Sequence, residues 1–208
     1  LQAAYQSMSA SEQQQTHLRI GRLLRNRYMY EQTAIHESQA TSLFSIVEQL
    51  NRGQSLITDG AEQLFLAELN QQAANLAKSS SAWDAVVQYA SVGIALLPDN
   101  RWQACYQLTF SLLQLKAEGE YLCGQPEASD KLYSELLTYC HEDTLKAEIY
   151  ATRLVEHSGR GLWHAGIEFG IQGLVSLGMP LFGGANDEGV DASENTDVNS
   201  DKKKSIYK

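Results

Sequence analysis

The chain has 208 residues, with 25 acidic and 16 basic side chains and a formal net charge of −9. A composition of 43% hydrophobic and 20% charged residues excludes wholesale disorder, and the acidic balance argues against a nucleic-acid or anionic-membrane partner. No apolar run approaches the ~20 residues of a membrane span, and no signal peptide is recognisable. Three cysteines without CxxC spacing favour a reducing compartment, so we expect a cytoplasmic protein. Because the first residue is Leu within a helix-like segment, we expect a piece of a longer chain.

Helix signals begin near the first residues of the chain. Ser9 and Glu12 form a capping box, which opens a helix predicted to end near Asn26. Residues 27–40 are polar and aperiodic and are predicted to be a linker. A second helix is predicted over about 41–51, where apolar residues recur on one stripe.

From residue 59 onward the pattern predicts three helical hairpins in series. The predicted helices are 59–79, 81–97, 101–123, 126–140, 142–158 and 162–177, with Asp59, Ser81 and Pro126 among their start signals. The second helix of each hairpin carries three small or medium residues at spacings of four and three: Val86, Ala90, Gly93; Ser129, Tyr133, Leu136; and Gly166, Gly170, Gly173. A turn residue precedes each triple by five positions, as Ser81, Gly124 and Gly161.

These repeats predict an all-α fold, a TPR-like helical-hairpin solenoid (an α-α superhelix) over residues 41–181. Most apolar side chains of the hairpins are expected in its core. From residue 182 the sequence is rich in Gly, Asn, Asp and Ser, which predicts a disordered polar tail over 182–208.

No catalytic constellation is recognisable in the sequence. The adjacent residues His141, Glu142 and Asp143 point in different directions on a helix, so we interpret them as a solvated helix start rather than a metal site. Phosphate-binding, nucleophile-elbow and zinc-protease motifs are absent. We therefore expect no catalytic, metal or cofactor site in this segment.

A recurring polar pattern on the first helices suggests an interaction surface instead. We predict that these side chains form one continuous polar groove, which would bind an extended peptide or a neighbouring protein domain. The alternative is an ordinary solvated face. The residues of this predicted polar groove are Glu68, Gln71, Asn75, Gln103, Gln107, Ser111, Gln114, Glu118, Glu148 and Thr152.

Several strings occur in the order found in one region of very large multi-sensor signalling kinases: HLRIGRLL, LNRG, LAELN followed by QA, and GIALLP followed by Trp. The chain resembles that region over about residues 1–180. Such proteins carry a Ser/Thr-kinase-like domain, an AAA-type P-loop ATPase, a TPR-like helical region, a GAF sensor and often a histidine kinase. The resemblance implies that residues 1–26 end the ATPase module and that 41–181 form the helical region after it. ATP and Mg²⁺ would then belong to other domains of the parent protein.

The leading interpretation is a non-catalytic scaffold segment, which couples an upstream P-loop ATPase or kinase module to downstream sensor domains through protein contacts. The parent protein would be a kinase, whereas this segment would have no enzymatic activity of its own. The main alternative is the sensor solenoid of an ATPase-coupled transcription regulator. A freestanding TPR adaptor and an independent enzyme are further alternatives.

Overall fold

The computed structural model describes residues 8–31 and 39–179, and the regular structure within these ranges is entirely helical. The α-helices are α1 Ala10–Glu31, α2 Gln39–Arg52, α3 Gly60–Ser79, α4 Trp83–Ala95, α5 Arg101–Ala104, α6 Tyr106–Leu122, α7 Pro126–Tyr139, α8 Asp143–Gly159 and α9 Trp163–Ser176. A short 3₁₀ turn, Gln54–Leu56, separates α2 from α3. The all-α prediction is confirmed for the described residues. The predicted disordered tail, 182–208, lies outside them.

The first two helices pack against each other at two glycines. A Cβ at Gly21 would lie 2.6 Å from Leu50 Cδ2, and one at Gly53 would lie 2.7 Å from Leu18 Cβ. Leu18 and Leu50 also belong to one buried cluster that includes residues of α3. The first helix therefore shares a core with the residues that follow it, while its assignment to an ATPase module stays a prediction.

Near the expected linker, two helices end or begin at other residues than predicted. The capping box is present, since Ser9 N–H donates to Glu12 Oε2 (2.8 Å) and Glu12 N–H donates to Ser9 Oγ (3.3 Å). The helix it opens continues past Asn26 to Glu31, and α2 begins at Gln39. Part of the interval 27–40 is thus helical, and residues 32–38 are outside the described ranges.

The three hairpin turns have one geometry. Ser81, Gly124 and Gly161 have positive φ values of 55°, 80° and 76°. In each turn the next residue donates its N–H to the carbonyl five positions back, as from Ala82 to Ala77 (3.0 Å), which is a Schellman motif. The prediction that Ser81 caps the following helix is therefore wrong. Ser81 closes α3 instead, because the left-handed residue of this motif ends the preceding helix.

The predicted helix 101–123 is interrupted at Cys105, whose φ and ψ of −147° and 55° are not helical. The buried Thr109 hydroxyl compensates for the interruption, because it lies within hydrogen-bond distance of the Cys105 carbonyl (2.9 Å) and the Arg101 carbonyl (3.2 Å). The sequence has no Gly or Pro at this point, so no helix-breaking residue marks the interruption.

The hairpins interlock through one aliphatic position on each first helix. Leu69, Leu112 and Ile149 each lie twelve residues before the left-handed residue of their hairpin turn, and all three are buried. Leu69 packs into the buried cluster of α1 and α2. Leu112 packs with α3 and α4, and Ile149 packs with α6 and α7. Each first helix therefore inserts one side chain into the helix pair that precedes it.

The small residues of α9 face the first helix of the same hairpin, α8. In the last hairpin, a Cβ at Gly166 would lie 3.2 Å from the Leu154 carbonyl oxygen, and one at Gly173 would lie 3.1 Å from Tyr150 Cβ. The three glycines of α9 thus allow α8 and α9 to approach closely. This contact offsets the ~1 kcal/mol of helix propensity that each glycine loses relative to alanine.

Candidate interaction surfaces

The residues of the predicted polar groove lie on α3, α5, α6 and α8, and each is exposed or half-buried. One ion pair links two of these helices, because Lys78 Nζ of α3 binds a carboxylate oxygen of Glu118 on α6. Gln103 lies on α5, beyond the interruption at Cys105. The structure thus leaves these side chains accessible, and their role in binding stays a prediction.

The joint between α7 and α8 contains buried charged residues. Arg153 is only 5% exposed, and its Nη1 lies 2.8 Å from Asp130 Oδ1 without being aligned for a hydrogen bond. The guanidinium carbon also lies 4.5 Å from the ring centre of Phe169, on α9. Arg160 approaches Asp130 at 3.7 Å. Because α7 and α8 make few other contacts, this charge cluster is a large part of what joins the two helices.

Glu156 is the most strongly perturbed carboxyl group of this joint. The Tyr133 hydroxyl donates to Glu156 Oε1 (3.3 Å), and the Tyr121 hydroxyl donates to the Glu156 carbonyl (3.1 Å). Glu156 Oε2 is buried without a hydrogen-bond partner among the described residues. Burial raises the pKa of Glu156 to about 7, although the charge of Arg153 opposes the rise. Burial also raises the pKa of Tyr133, with Glu156 adding to it.

This charge cluster was not predicted from the sequence. A signal was nevertheless present, because Ile149, Arg153 and Glu156 follow one another at spacings of four and three. That spacing places the two charged residues on the buried stripe of α8. Charged residues on a core stripe indicate buried charges, and the ionic partner of Arg153 is Asp130 on α7.

A second surface, apolar and open, lies between α8 and α9. This α8–α9 cleft has a volume of about 700 Å³ and is lined mainly by Ala147, Ala151, Leu154, Ile167, Gly170 and Leu174. A row of α9 side chains at spacings of four, Trp163, Ile167, Ile171 and Val175, is exposed beside it. The expectation that most apolar side chains lie in the core is therefore wrong for α9. Its outward row has no neighbouring helix within the described ranges.

The expected helix start at His141, Glu142 and Asp143 is confirmed, since all three are exposed and α8 begins at Asp143. Within residues 8–31 and 39–179, no three His, Cys, Asp or Glu side chains converge in a way that could hold a metal ion. The three cysteines are unpaired, and of these only Cys140 is fully buried. Every helix in the described part of the chain is too short or too polar to cross a membrane.

Comparison with known proteins gives one informative similarity. The chain is 29% identical over 187 residues to the hybrid signal transduction histidine kinase G of Dictyostelium discoideum. The match covers 82% of this chain but only 5% of that protein. No family model matches the chain. No solved structure matches it either. The similarity indicates a relationship to multi-sensor signalling kinases and fits a role in signal transduction.

Proposed function

We propose that this chain is a non-catalytic scaffold segment of a multi-domain, cytoplasmic signal-transduction kinase. In this proposal it couples an upstream P-loop ATPase or kinase module to downstream sensor domains through protein–protein contacts. The observation that carries the proposal is the interlocking of the helical hairpins, since each inserts an aliphatic side chain into the one before it. A row of interlocked hairpins holds the two ends of a segment at a fixed separation, which suits a coupling element.

The same interlocking supports a TPR-like solenoid for residues 41–181. Its turns repeat at Ser81, Gly124 and Gly161, and the inserted residues repeat with them. The intervals of 43 and 37 residues exceed the ~34 of a strict TPR, so the units are TPR-like with lengthened first helices.

The predicted polar groove is the proposed contact surface for an extended peptide or a neighbouring domain. Its side-chain amides would form hydrogen bonds across the interface, so binding should depend only weakly on salt. The similarity to a histidine kinase that is about twenty times longer than the aligned region favours contacts within one large protein. ATP and Mg²⁺ would act in its other domains.

The test uses the full-length protein that contains the segment, with phosphoryl transfer from radiolabelled ATP as the readout. Replacing Gln71, Gln114 and Glu118 together by Ala should leave basal autophosphorylation unchanged and reduce its response to the upstream module by about tenfold. Gln72→Ala is the matched control, because Gln72 is an exposed amide of α3 outside the predicted polar groove. An unchanged response in the triple variant would contradict the proposal.

The alternative function, the sensor solenoid of an ATPase-coupled transcription regulator, makes a different prediction in the same protein. A regulator would bind operator DNA in response to the upstream module and would show no autophosphorylation. Nucleotide-dependent DNA binding without phosphoryl transfer would therefore favour the alternative.

A further inference from the structure

The first two hairpins each enclose an aliphatic side chain of the first helix that follows. The pair α3–α4 contributes Ala74 and Ala90 to the buried cluster that holds Leu112 of α6. The pair α6–α7 contributes Ala117 and Tyr133 to the cluster that holds Ile149 of α8. Ala74 and Ala117 both lie seven residues before the left-handed residue of their hairpin, and Ala90 and Tyr133 both lie nine residues after it. The two sites are therefore equivalent in the repeat.

The third helix pair has the same site, and there it is open. Leu154 lies seven residues before Gly161 and Gly170 lies nine residues after it, and both line the α8–α9 cleft. The Leu154 side chain lies directly against Gly170, since a Cβ at Gly170 would be 2.5 Å from Leu154 Cδ1, and the cleft opens over both residues.

A second position of the repeat also indicates that the site is open in the last hairpin. The residue six positions after the left-handed turn contacts the next first helix in both earlier hairpins. Val87 packs on α6, where a Cβ at Gly119 would lie 2.8 Å from Val87 Cγ2, and Asp130 pairs with Arg153 of α8. The equivalent residue of the last hairpin is Ile167, which is 59% exposed.

We propose that the α8–α9 cleft binds an amphipathic helix of a partner protein, of the same type as α6. This helix would pack one Leu or Ile side chain onto Leu154 and Gly170 and place a Gly or Ala beside Ile167. This inference rests on the proposed function as a scaffold. It specifies the chemistry of one partner of that scaffold. An aliphatic partner matches the cleft because its lining is almost entirely apolar, with Thr144 and Glu148 as its polar residues.

Two other occupants fit the structure less well. In a second copy of the chain, the three side chains that occupy this position of the repeat, Leu69, Leu112 and Ile149, are already buried. The segment 182–208 is polar, and its few apolar residues do not recur at helical spacing. Both remain outcomes of the test below.

The test measures binding of a labelled helical peptide to the full 208-residue chain by fluorescence anisotropy. The peptide has the sequence of residues 106–122, with blocked ends and a hydrocarbon staple on its polar face to keep it helical. We expect saturable binding with one peptide per chain, weakened at least tenfold by Ile167→Asp. A peptide carrying Leu112→Asp should bind at least tenfold more weakly to the unmodified chain.

The matched control is Val155→Asp. Val155 is on α8 and 67% exposed, but it does not line the α8–α9 cleft, so this variant should bind the peptide normally. Ile167 and Val155 are both exposed, so neither substitution should prevent folding, and circular dichroism checks this.

Four results would overturn the proposal. One is absence of binding up to roughly 1 mM peptide, the weak end of specific association. Another is equal binding by the Ile167→Asp and unmodified chains. A dimer in analytical ultracentrifugation that Ile167→Asp dissociates would identify a second copy as the occupant. Tenfold tighter binding after removal of residues 180–208 would identify that segment instead. None of these results affects the phosphoryl-transfer response, so failure here is distinguishable from failure of the proposed function.

Discussion

Replacing the buried Glu156 by Gln should stabilise the protein at pH 8 and change its stability by less than about 1 kcal/mol at pH 5. Glu156 is 6% exposed, and its pKa is raised by burial from an ordinary 4.5 to about 7. The folded protein therefore holds a proton that the unfolded chain releases between pH 4.5 and 7. Stability contributed by the protonated group is complete below pH 4.5 and is lost as the pH rises through 7.

The magnitude follows from the difference between the two pKa values. Each pKa unit corresponds to about 1.4 kcal/mol, so ionisation of Glu156 costs on the order of 3 kcal/mol of folding free energy above pH 7. Glutamine resembles the protonated acid in shape and can still accept the hydrogen bond from Tyr133. In this variant Arg153 keeps its ion pair with Asp130, in which Arg153 Nη1 lies 2.8 Å from Asp130 Oδ1. We expect a gain of about 1–3 kcal/mol at pH 8, or several degrees in Tm.

The assay is urea denaturation followed by circular dichroism at pH 5 and pH 8, comparing Glu156→Gln with the unmodified chain at each pH. Glu148→Gln is the control, because Glu148 is exposed on the same helix and should change stability by less than about 0.5 kcal/mol at both pH values. A loss of stability at pH 8 in Glu156→Gln would refute the reasoning. It would mean that the carboxylate, held by Arg153, stabilises the joint between α7 and α8.

Three further predictions concern single contacts and are measured by the same denaturation assay. Ser81→Gly should stabilise the protein by about 0.5–1 kcal/mol, because φ is 55° at this position and glycine adopts this value without strain. A loss of stability in this variant would contradict the turn geometry. Gly53→Ala should destabilise by about 1–3 kcal/mol, since the new Cβ would lie 3.0 Å from main-chain atoms of α1, whereas Gly60→Ala, which has open space, should not. Glu62→Gln should cost less than about 1 kcal/mol at pH 7, because the partner Arg22 is well exposed. Arg22 holds the pKa of Glu62 below its ordinary 4.5, so this cost should disappear as the pH falls below that value, and a cost that persists at acidic pH would contradict it.

The hairpin turns were predictable from sequence, because the left-handed residue and the triple of small residues recur at fixed spacing. The role of Ser81 was not predictable by the same reasoning, since serine is common at helix starts and uncommon in the left-handed conformation. Only the equivalence with Gly124 and Gly161 indicates that it ends α3.

The interruption at Cys105 and the exposure of α9 could not be inferred from local pattern. Cys105 has no helix-breaking neighbour, and its conformation depends on the buried hydroxyl of Thr109. The apolar row of α9 has the spacing of a core stripe, and sequence does not reveal whether another helix covers it. The exposure of α9 is set by what packs against the helix, which propensity does not encode.

The proposed scaffold within a signalling kinase is tested by sequencing the transcript on both sides of this segment. We expect an open reading frame that encodes a P-loop ATPase upstream and a GAF sensor with a histidine kinase downstream. A reading frame that joins the segment to a helix-turn-helix DNA-binding region, with no kinase on either side, would contradict it.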